Sequence, residues 1–320
     1  MNRKPILIVP GEPNSVFFEI FFKSLFFEKF KSPIILIASY EILEVHMKKL
    51  NYKLKINLLD NSKLLIDKLN NSKINLINIE CKEPIKFGKI SENSKNYIND
   101  CFNVAFDLIK KKITNKLING PISKKFFLKK KYLGITEYIA EQFNTKNYAM
   151  LIYNKNISVC PITTHLPLKY VTKDIKKKTI IKKIEVINFF YKKYLKKKPK
   201  FAVAGLNPHC ESISSFNEDD KIILPSIKKL KKKGINVSGP YSADTLFLKN
   251  NRFNYDVIVG MYHDQVLTPM KTLFEFDAIN ITLGLPFLRV SPDHGPNEKM
   301  VGKNLSDPLS LIRALKFLDN

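Results

Sequence analysis

The chain has 320 residues, 44% of them hydrophobic and 26% charged, which supports one large domain or two lobes with a sizeable core. No apolar run reaches the roughly 18 to 20 residues of a membrane-spanning helix, and the first residues lack a signal-peptide cleavage site, so we expect a cytoplasmic protein without a membrane partner. The formal net charge is +25, but only four of the 54 basic residues are arginine, the residue on which nucleic-acid interfaces most rely. A specific nucleic-acid partner is therefore not expected.

Short apolar runs alternate with longer amphipathic segments along the chain, which predicts an α/β fold. The predicted strands are Ile6–Val9, Ile34–Ala38, Ile74–Ile79, Lys116–Asn119, Ala149–Tyr153, Ser158–Ile162, Phe201–Gly205, Val257–Gly260 and Ala278–Leu283. The predicted helices are Asn14–Phe30, Asn93–Lys112, Ile175–Leu195, Asp219–Lys233 and Pro308–Phe317. His46 lies in a further amphipathic stretch, EILEVHMKKL, and is predicted on a helix surface.

Several strands end in the same way, with an apolar run that stops at Gly, Pro or Asn and polar residues directly after it. These segments read IVPGEPNS, LINGPISK, AVAGLNPH, VIVGMYHDQ and ITLGLPFLR. Ligands of open α/β sheets bind outside the carboxyl ends of the strands. The repeated pattern therefore predicts one shared active-site edge.

Three of the five histidines, His165, His209 and His263, each follow a predicted strand by a few residues. They are too far apart in sequence for a local zinc motif, so only a folded sheet, or a sheet edge facing a second subunit, brings them together. Three imidazoles suit Zn²⁺ or a similar divalent cation and leave a position open for substrate, as in catalytic sites. From the spacing alone, separately hydrogen-bonded loop histidines are the alternative.

Three polar residues lie in mostly apolar stretches near the end of the chain: Lys271, Asn280 and Arg289. A buried arginine usually has an acidic partner or an anionic ligand, so these residues are candidates for binding an anion. Structural ion pairs or strand-capping side chains are the alternative interpretation.

The lysine runs Lys129–Lys131, Lys176–Lys178 and Lys196–Lys198 lie in or beside helical patterns and are interpreted as solvated faces. A basic nucleic-acid-binding protein stays the alternative from another functional class.

The four cysteines form no CxxC pair, which argues against a disulfide framework. Cys210, next to His209, is a metal ligand or a small buried side chain, and the second interpretation is preferred.

The polar segments together resemble a known family, the 4-hydroxythreonine-4-phosphate dehydrogenases of pyridoxal 5′-phosphate biosynthesis. The matching segments, from Gly11 to Gly302 and in the family's order, include GEP, NGPISK, GITEYIA, TTHLPL, GLNPH, GPYSADTLF, YHDQVLTPMK, NITLGLPFLR and DHG. The resemblance implies two α/β/α lobes around a cleft, similar to the isocitrate and isopropylmalate dehydrogenases. It implies that residues 1–125 and about 290–320 form the first lobe. Residues 126–289 then form the second, which carries the metal and the dimer contacts.

The resemblance also implies roles for individual residues. The metal ligands are His165, His209 and His263, with Zn²⁺, Mg²⁺ or Co²⁺ as the cation. The substrate contacts are Thr136, Lys271, Asn280 and Arg289. Asp244 and Asp264 are candidates for orienting a metal histidine or relaying a proton. Asp293, His294 and Gly295 form the DHG loop, which implies contact with NAD or NADP, and the absence of GxGxxG agrees with a cofactor site of this non-Rossmann kind. The family is homodimeric, with an active site shared across the subunit interface.

The implied reaction acts on a small phosphorylated hydroxy acid. It is the oxidation and decarboxylation of 4-phosphohydroxy-L-threonine to 3-amino-2-oxopropyl phosphate. Two departures from the family pattern bear on this expectation: Ile135 stands where the family has a histidine, and the segment from Cys210 to Ser214 replaces a Gly-rich stretch. They keep two alternatives open, a dehydrogenase of another four-carbon sugar-acid phosphate, such as threonate or erythronate phosphate, and an inactive scaffold.

Overall fold

The structure is a computed structural model that describes residues 3–66, 69–82, 87, 89–128, 131–211 and 216–320. The chain divides into two compact units, one formed by Met1–Ile135 with Pro286–Asn320 and the other by Thr136–Leu285. From the sequence, the boundaries between the two lobes were predicted near residues 125 and 290. Lys129 and Lys130 of one lysine run, and Ser212–Ser214 of the altered segment, lie outside the described residues.

The described residues of the first unit include six strands whose pairings with one another are all parallel. In the order β3-β4-β2-β1-β5-β12, these strands are β1 (Ile6–Val9), β2 (Ile34–Ala38), β3 (Ile56–Leu58), β4 (Ile74–Asn78), β5 (Lys116–Asn119) and β12 (Leu288–Pro292). The central strand β1 is completely buried, and Leu7 lies opposite Ile35 on one side and Leu117 on the other. Its apolar composition, without alternation, is what a strand covered on both faces requires.

The helices of the first unit supply the layers that cover this sheet. They are α1 (Phe17–Phe27), α2 (Tyr40–Lys49), α3 (Ser94–Lys110) and α11 (Leu309–Asp319). Helix α1 buries Phe17 and Phe18 and, one turn later, Phe21 and Phe22. This spacing puts the four rings on one side of the helix, where they bury a large apolar area.

The surface position predicted for His46 is wrong. The side chain is 1% exposed and belongs to the buried stripe of α2, with Ile42, Leu43 and Met47. Its Nε2 lies 2.9 Å from the carbonyl oxygen of Pro13, and its ring centroid lies 4.7 Å from that of Phe18. Burial lowers the pKa of His46 to about 4, so the ring is neutral at physiological pH.

Within the part of the second unit that the structure describes, six strands follow one another in the order β11-β6-β7-β10-β8-β9. They are β6 (Ala149–Tyr153), β7 (Ser158–Pro161), β8 (Phe201–Ala204), β9 (Val237–Tyr241), β10 (Val257–Gly260) and β11 (Ile279–Leu283). Strand β6 is antiparallel to both β11 and β7, whereas the pairs β7–β10, β10–β8 and β8–β9 are parallel. The parallel part places the ends of β7, β10 and β8 at one edge.

Seven helices accompany this second sheet. They are α4 (Ile135–Gln142), α5 (Val171–Asp174), α6 (Lys177–Tyr194), α7 (Leu224–Lys232), α8 (Ala243–Leu246), α9 (Lys249–Arg252) and α10 (His263–Phe274), within the described residues. In α10, Val266 and Met270 join the core cluster formed by β6, β7, β8 and β10, in which Ile258 is fully buried. This packing fixes the helix that begins at His263.

The predicted α/β class is confirmed, and the nine predicted strands are present with ends within one residue of the prediction. In the described part of the chain, no helix combines the length and the apolar character needed to cross a membrane. The cytoplasmic location stays a prediction.

Candidate active site

The three candidate metal histidines follow three neighbouring parallel strands of the second unit. Strand β10 lies between β7 and β8, with Val259 opposite Cys160 on one side and Val203 on the other. His165 follows β7, His263 follows β10 and His209 follows β8. Adjacent strands are about 4.8 Å apart, so the three loops leave the same edge of the sheet side by side.

Two of these histidines lie next to each other. The ring centroids of His165 and His263 are 5.7 Å apart. Two imidazoles that share one cation, at metal–nitrogen distances of about 2.0 to 2.1 Å, have centroids about 5 Å apart. The observed separation of the two rings is therefore close to the one that a shared cation requires.

Asp264 contacts the second of these histidines. Its Oδ1 lies 2.7 Å from Nδ1 of His263, and this bond leaves Nε2 of the ring for a ligand. A carboxylate on the far nitrogen is the usual partner of a metal-binding imidazole, because it fixes the tautomer and the ring orientation. Of the two acidic candidates, Asp264 thus has the contact that the orienting role requires.

His209 is placed differently. It is exposed, lies in the short helix Pro208–Cys210 and has a left-handed φ of 54°, followed by 62° at Cys210. Among the residues that the structure describes, no group of three His, Cys, Asp or Glu side chains within this chain is placed to hold a metal ion. One copy of the chain therefore brings together two of the three predicted ligands and leaves His209 facing solvent.

Asp244, the other acidic candidate, is exposed and acts electrostatically on Cys210. Partial burial, and then the negative charges of Asp219 and Asp244, raise the pKa of the Cys210 thiol. A metal ligand needs the thiolate, and these surroundings favour the neutral thiol as long as no cation is bound.

The candidate substrate contacts of the second unit include two polar side chains, one buried on α4 and one half-buried on β11. Thr136 is 6% exposed, and its Oγ1 lies 3.2 Å from Oγ1 of Thr282, a residue that the sequence did not single out. Asn280 lies two positions before Thr282, so the two side chains share one face of the strand. Oδ1 of Asn280 is buried without a hydrogen-bond partner among the described residues, and such an oxygen calls for a donor from a ligand.

Two further candidate residues adjoin these elements. Ile135 is the first residue of α4, directly before Thr136, and is half-buried. Lys271 lies on α10, two helical turns after His263, and is half-buried. The helix thus carries a candidate metal ligand at its start and a candidate anion-binding cation further along.

In the first unit, Arg289 is completely buried on β12. Its Nε donates to Oδ1 of Asn119, 2.7 Å away, at the end of the neighbouring strand β5. One of the five N–H groups of the guanidinium is therefore used inside the fold. Asn119 is a neutral partner for this charged group.

A second residue that the sequence did not single out is Glu12 of the GEP segment, which is fully buried directly after β1. Its Oε1 accepts from the Ser123 backbone N–H at 3.0 Å and its Oε2 from Oγ of Ser94 at 2.9 Å. Burial raises the pKa of Glu12, against these hydrogen bonds, which lower it. The signal in the sequence is a charged residue three positions after the apolar run of β1.

The DHG loop of the first unit follows β12. The Asp293 backbone N–H donates to Oγ of Ser310 at 2.8 Å, and Nδ1 of His294 lies 2.8 Å from the Gly295 carbonyl oxygen. An added Cβ at Gly295 would meet no atom within 4 Å. These contacts anchor the loop, and its role toward a dinucleotide stays a prediction.

Comparison with known proteins identifies the family. Residues 29–318 match the family model described as "Pyridoxal phosphate biosynthetic protein PdxA". The chain belongs to this family. A 4-hydroxythreonine-4-phosphate dehydrogenase of Sulfurihydrogenibium sp. (strain YO3AOP1) is 39% identical over 319 residues, which cover 98% of this chain and 96% of the relative. A D-threonate 4-phosphate dehydrogenase of Pectobacterium atrosepticum is 31% identical over 249 residues, which cover 76% of each chain.

Solved structures agree with this family membership. The crystal structure of 4-hydroxythreonine-4-phosphate dehydrogenase from Klebsiella pneumoniae has a TM-score of 0.84 and 27% identity, covering 99% of this chain and 97% of that one. A beta-decarboxylating dehydrogenase from Thermococcus kodakarensis has a TM-score of 0.51 and 10% identity, covering 98% and 82%. The second likeness concerns the fold alone, and it agrees with the predicted fold class.

Proposed function

We propose that this member of the PdxA family catalyses the metal-dependent, NAD- or NADP-linked oxidation and decarboxylation of 4-phosphohydroxy-L-threonine. The product is 3-amino-2-oxopropyl phosphate, a precursor in pyridoxal 5′-phosphate biosynthesis. The observation that carries this proposal is the pair His165 and His263, side by side at the ends of adjacent parallel strands in a chain of this family.

His165 and His263 would hold the divalent cation together with His209. The exposed position of His209 supports a homodimer in which this residue completes the histidine pair of the partner subunit. A bound cation supplies Lewis-acid chemistry at the substrate hydroxyl, and a bound NAD or NADP accepts the hydride. Asp264 keeps the ring of His263 in the orientation and tautomer that ligation needs.

The remaining candidates would bind and orient the substrate. Lys271 and Arg289 supply positive charge for the phosphate or the carboxylate, because charge-assisted hydrogen bonds are the strongest contacts available to these anions. Thr136 adds a neutral hydroxyl. Asn280 offers a buried acceptor whose unsatisfied oxygen would take a hydrogen bond from the substrate.

The decarboxylation follows from the chemistry of the oxidised substrate. Oxidation of the secondary alcohol gives a β-keto acid, and such acids lose CO₂ readily when positive charge stabilises the enolate. Asp264 and Asp244 are the candidates for relaying the hydroxyl proton, and Asp264 is the one in contact with a site histidine. The DHG loop, Asp293–Gly295, would contact the dinucleotide from the first unit.

The test is NADH formation by the purified protein with 4-phosphohydroxy-L-threonine, measured with and without a chelator. We expect turnover that stops with the chelator and returns with Co²⁺. D-Threonate 4-phosphate is assayed in parallel, because Ile135 and the Pectobacterium relative favour it as the second candidate substrate. Turnover of D-threonate 4-phosphate alone would replace the proposed substrate, and salt-sensitive RNA binding without dehydrogenase activity would replace the proposed function.

A further inference from the structure

A hydrogen-bonded frame joins the loops that carry the three histidines, and its centre is Gln265, in the first turn of α10. Oε1 of Gln265 accepts from the Met261 backbone N–H at 2.7 Å, and Nε2 donates to the Gly205 carbonyl oxygen at 2.7 Å. One side-chain amide thus connects the loop after β10 with the loop after β8. The two bonds also fix the direction of the amide, because a flipped amide would face donor to donor and acceptor to acceptor.

The loop after β8, which Gln265 contacts, also accepts a second anchor, a buried carboxylate. Asp219 is fully buried, and its Oδ1 accepts from the Leu206 backbone N–H at 2.8 Å. Its Oδ2 accepts from the backbone N–H and the side-chain Nδ2 of Asn207, at 3.1 and 2.9 Å. A Cβ at Gly205 would lie 2.7 Å from Oδ1 of Asp219, so only glycine leaves room for this arrangement. The segment that leads to His209 is therefore fixed from two directions.

On the β7 side, Thr163 continues the frame. Its Oγ1 and its backbone N–H both donate to the Met261 carbonyl oxygen, at 2.8 and 3.1 Å. Thr163 lies two residues before His165, and Met261 lies two residues before His263. A continuous path of hydrogen bonds therefore runs from Thr163 through Met261 and Gln265 to Gly205. It joins the starts of the three loops that carry the histidines.

We infer that Gln265 is a positioning residue that fixes the loop of His263 against the loop of His209 within one chain before any cation binds. In the proposed homodimer these two loops serve the two metal sites, so the connection sets the geometry of both. Strand pairing alone brings the loops to the same edge, whereas a metal site needs its ligands within about 0.5 Å of their final geometry. The bond between Asp264 and His263 orients one ring but does not connect two loops. Gln265 provides the connection. This inference rests on the proposed metal site.

The test is cation binding by the purified full-length protein, measured with Co²⁺ in competition with a chromophoric chelator. Gln265→Met keeps the length of the side chain, adds no charge and removes both hydrogen bonds. We expect its Co²⁺ dissociation constant to rise about 10- to 100-fold, the usual loss when a group supporting the metal ligands is removed. We also expect a changed Co²⁺ absorption spectrum, which reports ligand geometry rather than fold. Gln142→Met, on an exposed position of α4, is the matched control and is expected to bind Co²⁺ as the unaltered protein does.

Each outcome decides a different point. Equal Co²⁺ affinity and an equal spectrum for Gln265→Met and the unaltered protein would overturn the positioning role while leaving the metal site in place. Absence of Co²⁺ binding by the unaltered protein would overturn the metal site itself, and the positioning role with it. Should Gln265→Met fail to fold, Gln265→Glu keeps an acceptor for the Met261 N–H and removes the donor to the Gly205 carbonyl oxygen, and we expect a smaller loss of affinity. Unchanged binding by Gln265→Glu would then overturn the inference.

Discussion

The buried imidazole of His46 makes the stability of the first unit depend on pH. In the unfolded chain its pKa is 6.5, and in the folded protein burial lowers it to about 4. Between these values the unfolded chain binds a proton that the folded protein does not, so the stabilising contribution is complete above pH 6.5 and is lost as the pH falls toward 4. The full effect is about 3 kcal/mol, of which about 2 kcal/mol is lost between about pH 7.5 and about pH 5.

His46→Phe isolates this contribution. The phenyl ring can still pack on Phe18, but the Pro13 carbonyl oxygen loses its hydrogen-bond partner, which costs about 1 to 2 kcal/mol at any pH. We therefore expect the variant to be less stable than the unaltered protein at about pH 7.5 and nearly as stable at about pH 5. Urea unfolding at the two pH values measures this difference, and other titrating groups cancel in the comparison.

Ile42→Val is the control, because it removes one methylene from the same buried stripe of α2 without a titrating group. It should lower the unfolding free energy by about 1 kcal/mol at both pH values. An equal pH dependence for His46→Phe and the unaltered protein would show that the imidazole is not held neutral, and the reasoning would fail.

Three further predictions concern the proposed site. His209→Ala should abolish Co²⁺ retention and turnover, and unchanged activity in metal-free buffer would remove His209 from the site. Arg289→Ala should weaken substrate binding by about 2 kcal/mol or more, as expected for a buried charged hydrogen bond. Unchanged KM and kcat would show that Arg289 is not a substrate contact. Ile135→His should raise turnover of 4-phosphohydroxy-L-threonine, and the absence of any gain in kcat/KM would favour another phosphorylated acid.

The strands with apolar runs were predictable from the sequence because burial on both faces leaves a continuous signal, as in β1 and β2. Three strands lack that signal. Strand β12 carries Arg289, Ser291 and Pro292 among its five residues, which interrupt the apolar run. Strand β9 contains Gly239 and Pro240, which argue against a strand, but β9 is the last strand of its sheet, where a proline removes no ladder hydrogen bond. Strand β3 has three residues, none of them buried.

Helix α10 shows how packing overrides local preference. Its sequence contains Pro269, which lacks an N–H and argues against a helix interior. Val266 and Met270 nevertheless bury themselves in the core of the second unit, and this burial keeps the segment helical. The sequence predicted the polar loop at His263 and did not predict the helix that begins there.

The candidate site residues were predictable where the type of side chain alone indicates the chemistry, as for the histidines. His165 and His263 each follow a predicted strand by a few residues, which predicted that they come together at one edge of the sheet. Their rings lie next to each other. The exposure of His209 and the frame around Gln265 were not predictable, because contacts such as that between Gln265 and Gly205 join residues far apart in sequence. No local pattern reports such a contact.

Because the first unit is formed by two separate segments of the chain, it can complete its fold only after the second unit has been synthesised. Strand β12 and helix α11 belong to this unit, yet the ribosome makes them after the whole second unit. Until residues 286–320 emerge, β5 has an unpaired edge, the kind of surface that recruits other strands and promotes aggregation. The second unit is one uninterrupted segment and can be excised by two cuts, whereas an isolated first unit requires joining residue 135 to residue 286 through a designed linker.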